Sequence, residues 1–470
     1  MTQIPDLKNC SFIPQGGRAS YFLSEYLINL CYTKKYAHGA DERIGRLPFG
    51  LVGTFRDHLC KWHMLTNDLE FKEEYPACLN SYQNIEEFST AVREETVKKI
   101  SKEWSKATNE KIAASVSYYF DQYTRLIQAA GVLRVFDLCL LRRLKEALQD
   151  EEIAILSSGR PSIGMEEEEK LLRLAAGVSK GRMPKAGAEK ALQKIYEKYC
   201  YWTMGYYDEK PKNFDDYKGA LEGFIARNPT ALLEQRKKLM QEQAQRRKAI
   251  RASLDADMKR IADAAAEAAY LKDYNKYSVN KIIYYAEPLL REAAKRSNYS
   301  PEFVKDLVPE EVLALLKGKK PDSKKVKERI KHSVLISYPN QMIILTGKDA
   351  ARFEKEYIEE SRDETTITGR SACRGMAKGI VRVVHSQADF GKLRKGDILV
   401  VINTGPDFVP VLHKVSAIIA EEGGITAHVS VISRELGIPC IVGAINATSI
   451  FKDGELVEVD AEKGVARKIS

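Results

Sequence analysis

The sequence predicts a mainly α N-terminal region over residues 1–365, followed by an α/β domain over residues 366–470. Three observations predict it. Apolar residues recur at three- and four-residue steps through most of the chain before Thr365. After Thr365, short apolar runs alternate with glycines. Between the two rhythms lies a charged connector, residues 354–366.

In the helical part, mixed polar and apolar faces cover residues 95–107 and 113–130, and 133–148 reads as a strongly apolar helix with a charged stripe. From 230 to 270, Ile250, Leu254, Met258, Ile261, Ala265 and Ala268 recur as a seam, which predicts one leg of a long helical hairpin. A further helix over 281–296 contains Pro288, which should kink it or mark a restart. A small β-hairpin is expected near 333–345, turning through Pro339 and Asn340. The basic stretch KGKKPDSKKVKERIKH before it interleaves Asp322 and Glu328 and has no aromatics, which favours a solvated helix face over a nucleic-acid arm. Gln15-Gly-Gly-Arg-Ala-Ser20 echoes a glycine-rich phosphate loop, but a lone Gly-Gly-Arg carries little weight. After Thr365 the strand candidates are 380–384, 398–402, 417–420, 439–442 and 456–459, with one helix over 426–436.

Composition excludes several classes. At 470 residues, 44% hydrophobic and 30% charged, the chain exceeds one ordinary domain and can bury a sizeable core. No apolar run approaches the ~20 residues of a membrane helix. The N-terminus, MTQIPDLKNC, lacks the layout of a secretory signal. Eight scattered cysteines, without C-x-x-C pairs or Cys/His clusters, read as reduced thiols of a cytoplasmic protein with no metal site of its own. The net charge of +9 suits anionic ligands such as phosphates and is no nucleic-acid signature.

The segment Ile418-Ile-Ala-Glu-Glu-Gly-Gly-Ile-Thr-Ala-His428 carries the chemistry. A buried strand ends, two glycines turn the chain, and a helix starts at or near Thr426. Gly423 and Gly424 permit positive φ and close approach by another group. Thr426 is a good N-cap. His428 falls in the first turn, where unpaired N–H groups and the positive dipole end converge. The dipole disfavours an imidazolium, which leaves a neutral, nucleophilic ring, and the same N–H groups can stabilise a phosphoryl group bound there. On spacing alone, G-G-x-T-x-H equally marks a packing histidine at a helix start, and the other six histidines read as ordinary.

The neighbourhood separates the two. Ile367-Thr-Gly, Gly375-Met-Ala-Lys-Gly379, Leu393-Arg-Lys-Gly396-Asp-Ile-Leu-Val and Thr404-Gly-Pro-Asp-Phe-Val-Pro410 lead to Glu422-Gly-Gly-Ile-Thr-Ala-His428. Ser433-Arg-Glu-Leu-Gly-Ile-Pro439 and Asp453-Gly-Glu-Leu-Val-Glu-Val-Asp460 follow. In this order the blocks resemble the mobile phosphohistidine domain of phosphoenolpyruvate-utilising enzymes, the group of phosphoenolpyruvate synthase and pyruvate phosphate dikinase. The resemblance implies a β/β/α swivelling domain in which His428 accepts the phosphoryl group, with Thr426 and the Gly423-Gly424 turn beside it. One position departs from the pattern: members of the family have Ser or Cys before the histidine, and here Ala427 removes that hydrogen-bonding group. Arg434, six residues beyond His428 and about 240° round the helix, should hold the domain together rather than touch phosphate.

A second, more scattered resemblance joins Tyr196-Glu-Lys-Tyr-Cys-Tyr-Trp202, Gly205-Tyr-Tyr207 and Tyr284-Tyr-Ala-Glu-Pro-Leu-Leu-Arg291 to the acceptor-binding region of rifampin phosphotransferase-like members. It implies that Tyr199, Trp202 and Tyr206 form a wall for a flat acceptor; packing of buried aromatics is the competing reading. A full phosphoenolpyruvate synthase has an ATP-grasp module and a barrel, and neither is expected in this chain. The resemblance therefore implies a phosphotransferase component of a split, kinase-type enzyme. Phosphoryl would pass from ATP on a separate ATP-grasp partner chain, or from phosphoenolpyruvate, through phospho-His428 to a small-molecule acceptor on the helical region. ATP would become AMP plus phosphate, with Mg²⁺ accompanying the nucleotide rather than a site in this chain. The alternative is a non-catalytic phosphohistidine-domain scaffold or regulatory module, which Ala427 favours. Neither membrane nor nucleic acid is expected as a partner.

Overall fold

The computed structural model describes residues 11–19, 50–56, 59–66, 84–157, 159–202, 204, 210–338, 341–358, 365–385, 387–402, 404, 408–421, 428–444 and 447–469.

In the helical region, α1 (Ile85–Ile100) and α2 (Asn109–Leu144) lead into α3 (Asp150–Ser157), α4 (Ile163–Ser179) and α5 (Lys185–Tyr199). Next come α6 (Phe214–Ala226), α7 (Pro229–Ala252) and α8 (Ala256–Arg296). The spine is α8, packed along α2 and α1. Its Ile261, Ala265, Ala268, Ile282 and Leu289 share one core with Val92, Val116 and Tyr123. Fully burying one large aliphatic side chain contributes roughly 1.5–3 kcal/mol, so this seam, more than helix propensity, holds the bundle.

Several helix expectations change. The helix over 95–107 ends at Ile100 in α1, and 281–296 is the end of α8 rather than a helix of its own. The stretches 113–130 and 133–148 merge into α2, because Gly131 brings neither a proline nor a cap to interrupt it. The seam from 230 to 270 is not one leg. It breaks after α7, where the Asp255 side chain accepts from Met258 N at 2.8 Å and starts α8 as a new helix. Arg251 forks onto Asp263 across the corner at 3.0 and 2.7 Å. Pro288 lies inside α8 without ending it.

The N-terminal region is also not purely helical. β1 (Ser11–Ala19), β2 (Gly50–Arg56) and β3 (Leu59–Thr66) join the hairpin β4 (Ser333–Tyr338) and β5 (Gln341–Thr346). The resulting sheet is antiparallel throughout, in the order β1-β3-β2-β4-β5. Gln15 to Ala19, read in sequence as part of a possible phosphate loop, run within β1 against β3. Between α8 and the hairpin lie α9 (Pro301–Lys305), α10 (Pro309–Leu316) and α11 (Ser323–Lys331). On α11, Val326 and Arg329 are buried, whereas Lys324, Lys325, Lys327 and Lys331 face solvent. Strand β4 alternates: Leu335 enters the helical core, and Val334 and Ile336 pack with Phe353 of α12 (Gly347–Phe353).

Every strand of the second sheet follows Thr365. These are β6 (Thr366–Thr368), β7 (Arg370–Cys373), β8 (Met376–Val384), β9 (Asp397–Val401), β10 (Val415–Ala420), β11 (Cys440–Val442), β12 (Leu456–Asp460) and β13 (Val465–Lys468). The order is β6-β13-β12-β8-β9-β10-β11-β7. Strand β8 belongs to two layers: its Met376 to Ile380 half pairs antiparallel with β12, and its Val381 to Val384 half runs parallel to β9. Gly379 lies in the first half, and a Cβ there would come 2.3 Å from the Gly396 carbonyl oxygen.

The parallel strands β8 to β11 are buried on both faces. On one, Val381, Val383, Ile398, Val400, Ala417 and Ile419 pack with Val457, Val459 and Ala466 of the antiparallel layer. On the other, Leu399, Val401, Ile418 and Ala420 pack with Leu412 of α13 (Val409–Leu412) and Val429 of α14 (His428–Leu436). This is a β/β/α sandwich, and alternate residues of each parallel strand read into alternate layers.

Candidate functional site

The central strand β10 has parallel neighbours on both sides, β9 and β11. All four parallel strands point the same way, so their carboxyl ends form one edge, where open α/β sheets characteristically bind ligands. The chain leaves β10 at that edge and returns as α14, which carries His428. Gly423, Gly424 and Thr426 lie outside the described residues. The described part of the helix runs from His428 to Leu436.

The rest of α14 is bound firmly to the domain. Val429, Ser430 and Ser433 are buried, and the Ser433 hydroxyl donates to the Ser430 carbonyl at 3.1 Å. The helix stops at Gly437, whose φ of +67° is costly for any residue with a Cβ. Ile438 N then donates to the Ser433 carbonyl at 2.9 Å, the 6→1 bond of a Schellman end. Arg434 Nη1 donates to the Ala372 carbonyl of β7 at 3.2 Å, so its guanidinium ties the helix to an edge strand. Beneath the helix, burial pushes the Cys440 thiol up to about 12, which leaves it protonated and unsuited to nucleophilic work.

Glu421, just beyond the end of β10, is buried and hydrogen-bonded. Acidic residues are rarely buried, and nothing in the sequence marks this one as inward-facing.

The aromatic candidates sit in the helical region. Tyr199 is fully buried, and its hydroxyl donates to Glu166 Oε2 at 3.3 Å. Burial, then Glu166, drives this phenol well above the ordinary tyrosine range. Its ring is therefore a packing element, not a face open to an acceptor. Trp202 is partly exposed; its indole donates to Glu167 Oε2 at 2.8 Å, and a Cβ on Gly164 would lie 2.7 Å from its ring. Glu167 also accepts from Lys212 at 3.3 Å and from the buried Tyr217 hydroxyl. Tyr196 meets Phe214 and Tyr217 edge-on, with ring centroids 5.6 Å apart in each pair. The cluster is the joint between α4, α5 and α6. Tyr206 lies outside the described residues.

Among the described residues, no three His, Cys, Asp or Glu side chains gather as metal ligands, and no helix is long and apolar enough to cross a membrane.

Comparison with known proteins places the similarity on this second domain. Residues 393–464 match the family model of the PEP-utilising enzyme, mobile domain. A probable phosphoenolpyruvate synthase of Archaeoglobus fulgidus is 42% identical over 118 residues, 25% of this chain and 16% of that protein. The phosphoenolpyruvate synthase of Pyrococcus furiosus is 40% identical over 26% of this chain and 15% of its own length. A chondramide synthase of Chondromyces crocatus is 41% identical over 25% of this chain and 3% of its own length. The chain thus spans only a small part of the relatives it matches, and the shared part is a phosphohistidine-type domain of phosphoenolpyruvate synthase-like proteins.

Proposed function

We propose that this chain is a phosphotransferase component that relays a phosphoryl group through His428. What supports the proposal is that His428 lies on α14, the helix that follows the central parallel strand, in a domain similar to the mobile domain of phosphoenolpyruvate synthases. A neutral imidazole nitrogen there attacks the donor phosphorus. The N–P bond forms as the P–O bond to the donor's leaving group breaks, and the acceptor oxygen later displaces the imidazole. Dividing the transfer gives each half a nucleophile in line, and the helix-terminal N–H groups favour the bound dianion.

The donor is ATP held by a separate ATP-grasp chain, or phosphoenolpyruvate. Mg²⁺ arrives with the nucleotide and neutralises phosphate charge. The acceptor is a small molecule received by the helical region, where Trp202 offers a partly exposed ring. The compartment is the cytoplasm. Swivelling about residues 354–366 carries His428 between the two stations.

The test is incubation with labelled ATP or phosphoenolpyruvate, with and without a candidate ATP-grasp protein. Acid-labile, alkali-stable phosphate is expected on the wild type and is lost in His428→Ala. Ala427 supports a second reading, a phosphohistidine-fold scaffold that transfers nothing. Absence of label under every condition decides for it.

A further inference from the structure

Glu421 is 4% exposed and stands at the carboxyl end of β10, seven residues before His428. Its backbone N–H donates to the Val401 carbonyl at 2.9 Å, which continues the β10 ladder onto β9. Its Oε1 accepts from Thr448 N at 2.7 Å and from the Thr448 hydroxyl. Thr448 belongs to the short helical turn α15 (Ala447–Ile450). That turn is itself fixed: Ala447 and Phe451 are buried in the core between the two sheets, and Phe451 N donates to the Ala447 carbonyl at 2.9 Å. No cation pairs with Glu421 among the described residues. A carboxylate buried on hydrogen bonds alone costs desolvation that an apolar side chain would avoid.

The carboxylate adds a side-chain tie next to a single backbone bond, from Ala444 N to the Ala420 carbonyl at 3.0 Å. On one side is the outlet of the central strand toward His428; on the other is the connection between β11 and β12, anchored in the inter-sheet core. The far end of the turn is held independently, by Val429 and Arg434. From this geometry we infer that Glu421 is a positioning residue: its bonds to Thr448 set the departure of the chain from β10 and thereby the placement of the His428 ring for phosphoryl uptake. The inference rests on the phosphohistidine reading of His428, and the experiment separates the two.

Full-length protein is treated with phosphoramidate, a donor that needs no partner chain. The P–N bond of the reagent breaks, ammonia leaves with the proton it requires, and the N–P bond to imidazole forms. Phosphorylation of His428 is followed by ³¹P NMR and normalised to folded protein, with His428→Ala as control. Glu421→Ala is expected to slow labelling at least about tenfold, since loss of orientation is expensive in rate. Glu421→Gln keeps an acceptor for Thr448 and should stay within about threefold of wild type, because an amide oxygen accepts the same bonds. Thr448→Val, which retains the backbone donor, should fall between them. A structural role alone would lower the melting temperature of Glu421→Ala and leave labelling per folded molecule unchanged; that result overturns the inference.

Hydrogen exchange supplies the second readout. In Glu421→Ala, peptides covering 422–430 should exchange faster while those in β8 and β9 keep their protection, and Glu421→Gln should restore the wild-type pattern. If wild-type His428 takes no label, the phosphoryl-transfer reading falls. The positioning claim is then judged by exchange alone, and unchanged or uniformly raised exchange overturns it.

Discussion

Replacing Glu167 with alanine tests whether the aromatic cluster is interior packing. The Glu167 carboxylate is buried and accepts from the Trp202 indole at 2.8 Å, the Lys212 ammonium at 3.3 Å and the Tyr217 hydroxyl. Alanine removes all three acceptors at once. A buried donor left without a partner costs about 1–3 kcal/mol. Tyr217 is 1% exposed and carries that penalty in full. Trp202 and Lys212 reach water in part and count at the low end, and the ion pair is discounted for screening. The expected total is about 3–5 kcal/mol, the size of a broken buried network. Glutamine should cost less. Its oxygen can serve the indole while its NH₂ donates to the Tyr217 oxygen, which leaves the Tyr217 hydroxyl proton and Lys212 without acceptors and a loss of about 2–3 kcal/mol. Urea unfolding read by tryptophan fluorescence is the assay, because Trp62, Trp104 and Trp202 all precede residue 366. A loss below about 1 kcal/mol in Glu167→Ala would refute the burial argument, and so would Glu167→Gln being the worse variant.

Three further outcomes are expected from the structure. Gly379→Ala places a Cβ 2.3 Å from the Gly396 carbonyl, so the second domain should lose about 1–3 kcal/mol; hydrogen exchange over 366–470 should rise while the tryptophan-monitored transition stays put. Burial holds the Asp273 carboxyl above its ordinary range, despite its acceptance from Ile163 N at 2.6 Å. A folded pKa above the unfolded one gives stability that is complete below about pH 4 and is lost as pH rises through the folded value. Asp273→Asn, which keeps an acceptor but does not titrate, should therefore gain on the wild type from acid toward neutral pH; a pH-independent difference in thermal unfolding would contradict this. Cys440, buried and pushed up to about 12, should resist iodoacetamide near neutral pH until the domain unfolds, and prompt labelling of the native protein would contradict its placement.

Local chemistry was legible where it acts over a few residues. The runs at 398–402 and 417–420 are found as β9 and β10, buried on both faces as parallel strands must be. A helix ends at Leu436 as expected, because Gly437 supplies the left-handed residue that terminates it. The break at Asp255 was written in the sequence as a cap residue, yet the apolar seam on either side outweighed it in the reading. The aromatic run from Tyr196 to Trp202 was ambiguous in kind: the same residue types make a core or a binding wall, and burial of Tyr199 assigns it to the core.

What stayed hidden depends on partners far along the chain. Strands β1 to β3 form because β2 finds β4 hundreds of positions later, and a period-two pattern does not name its partner. The bond from Glu421 to Thr448 is of the same kind: two unremarkable residues become a device when folding sets one carboxylate against one turn. Periodicity, caps and glycines are properties of neighbours, so the order of amino acids displays them directly. Sheet order, and which polar groups are shut away together, are properties of the closed chain, where the entropy lost in bringing remote segments together is repaid only once the whole core has formed.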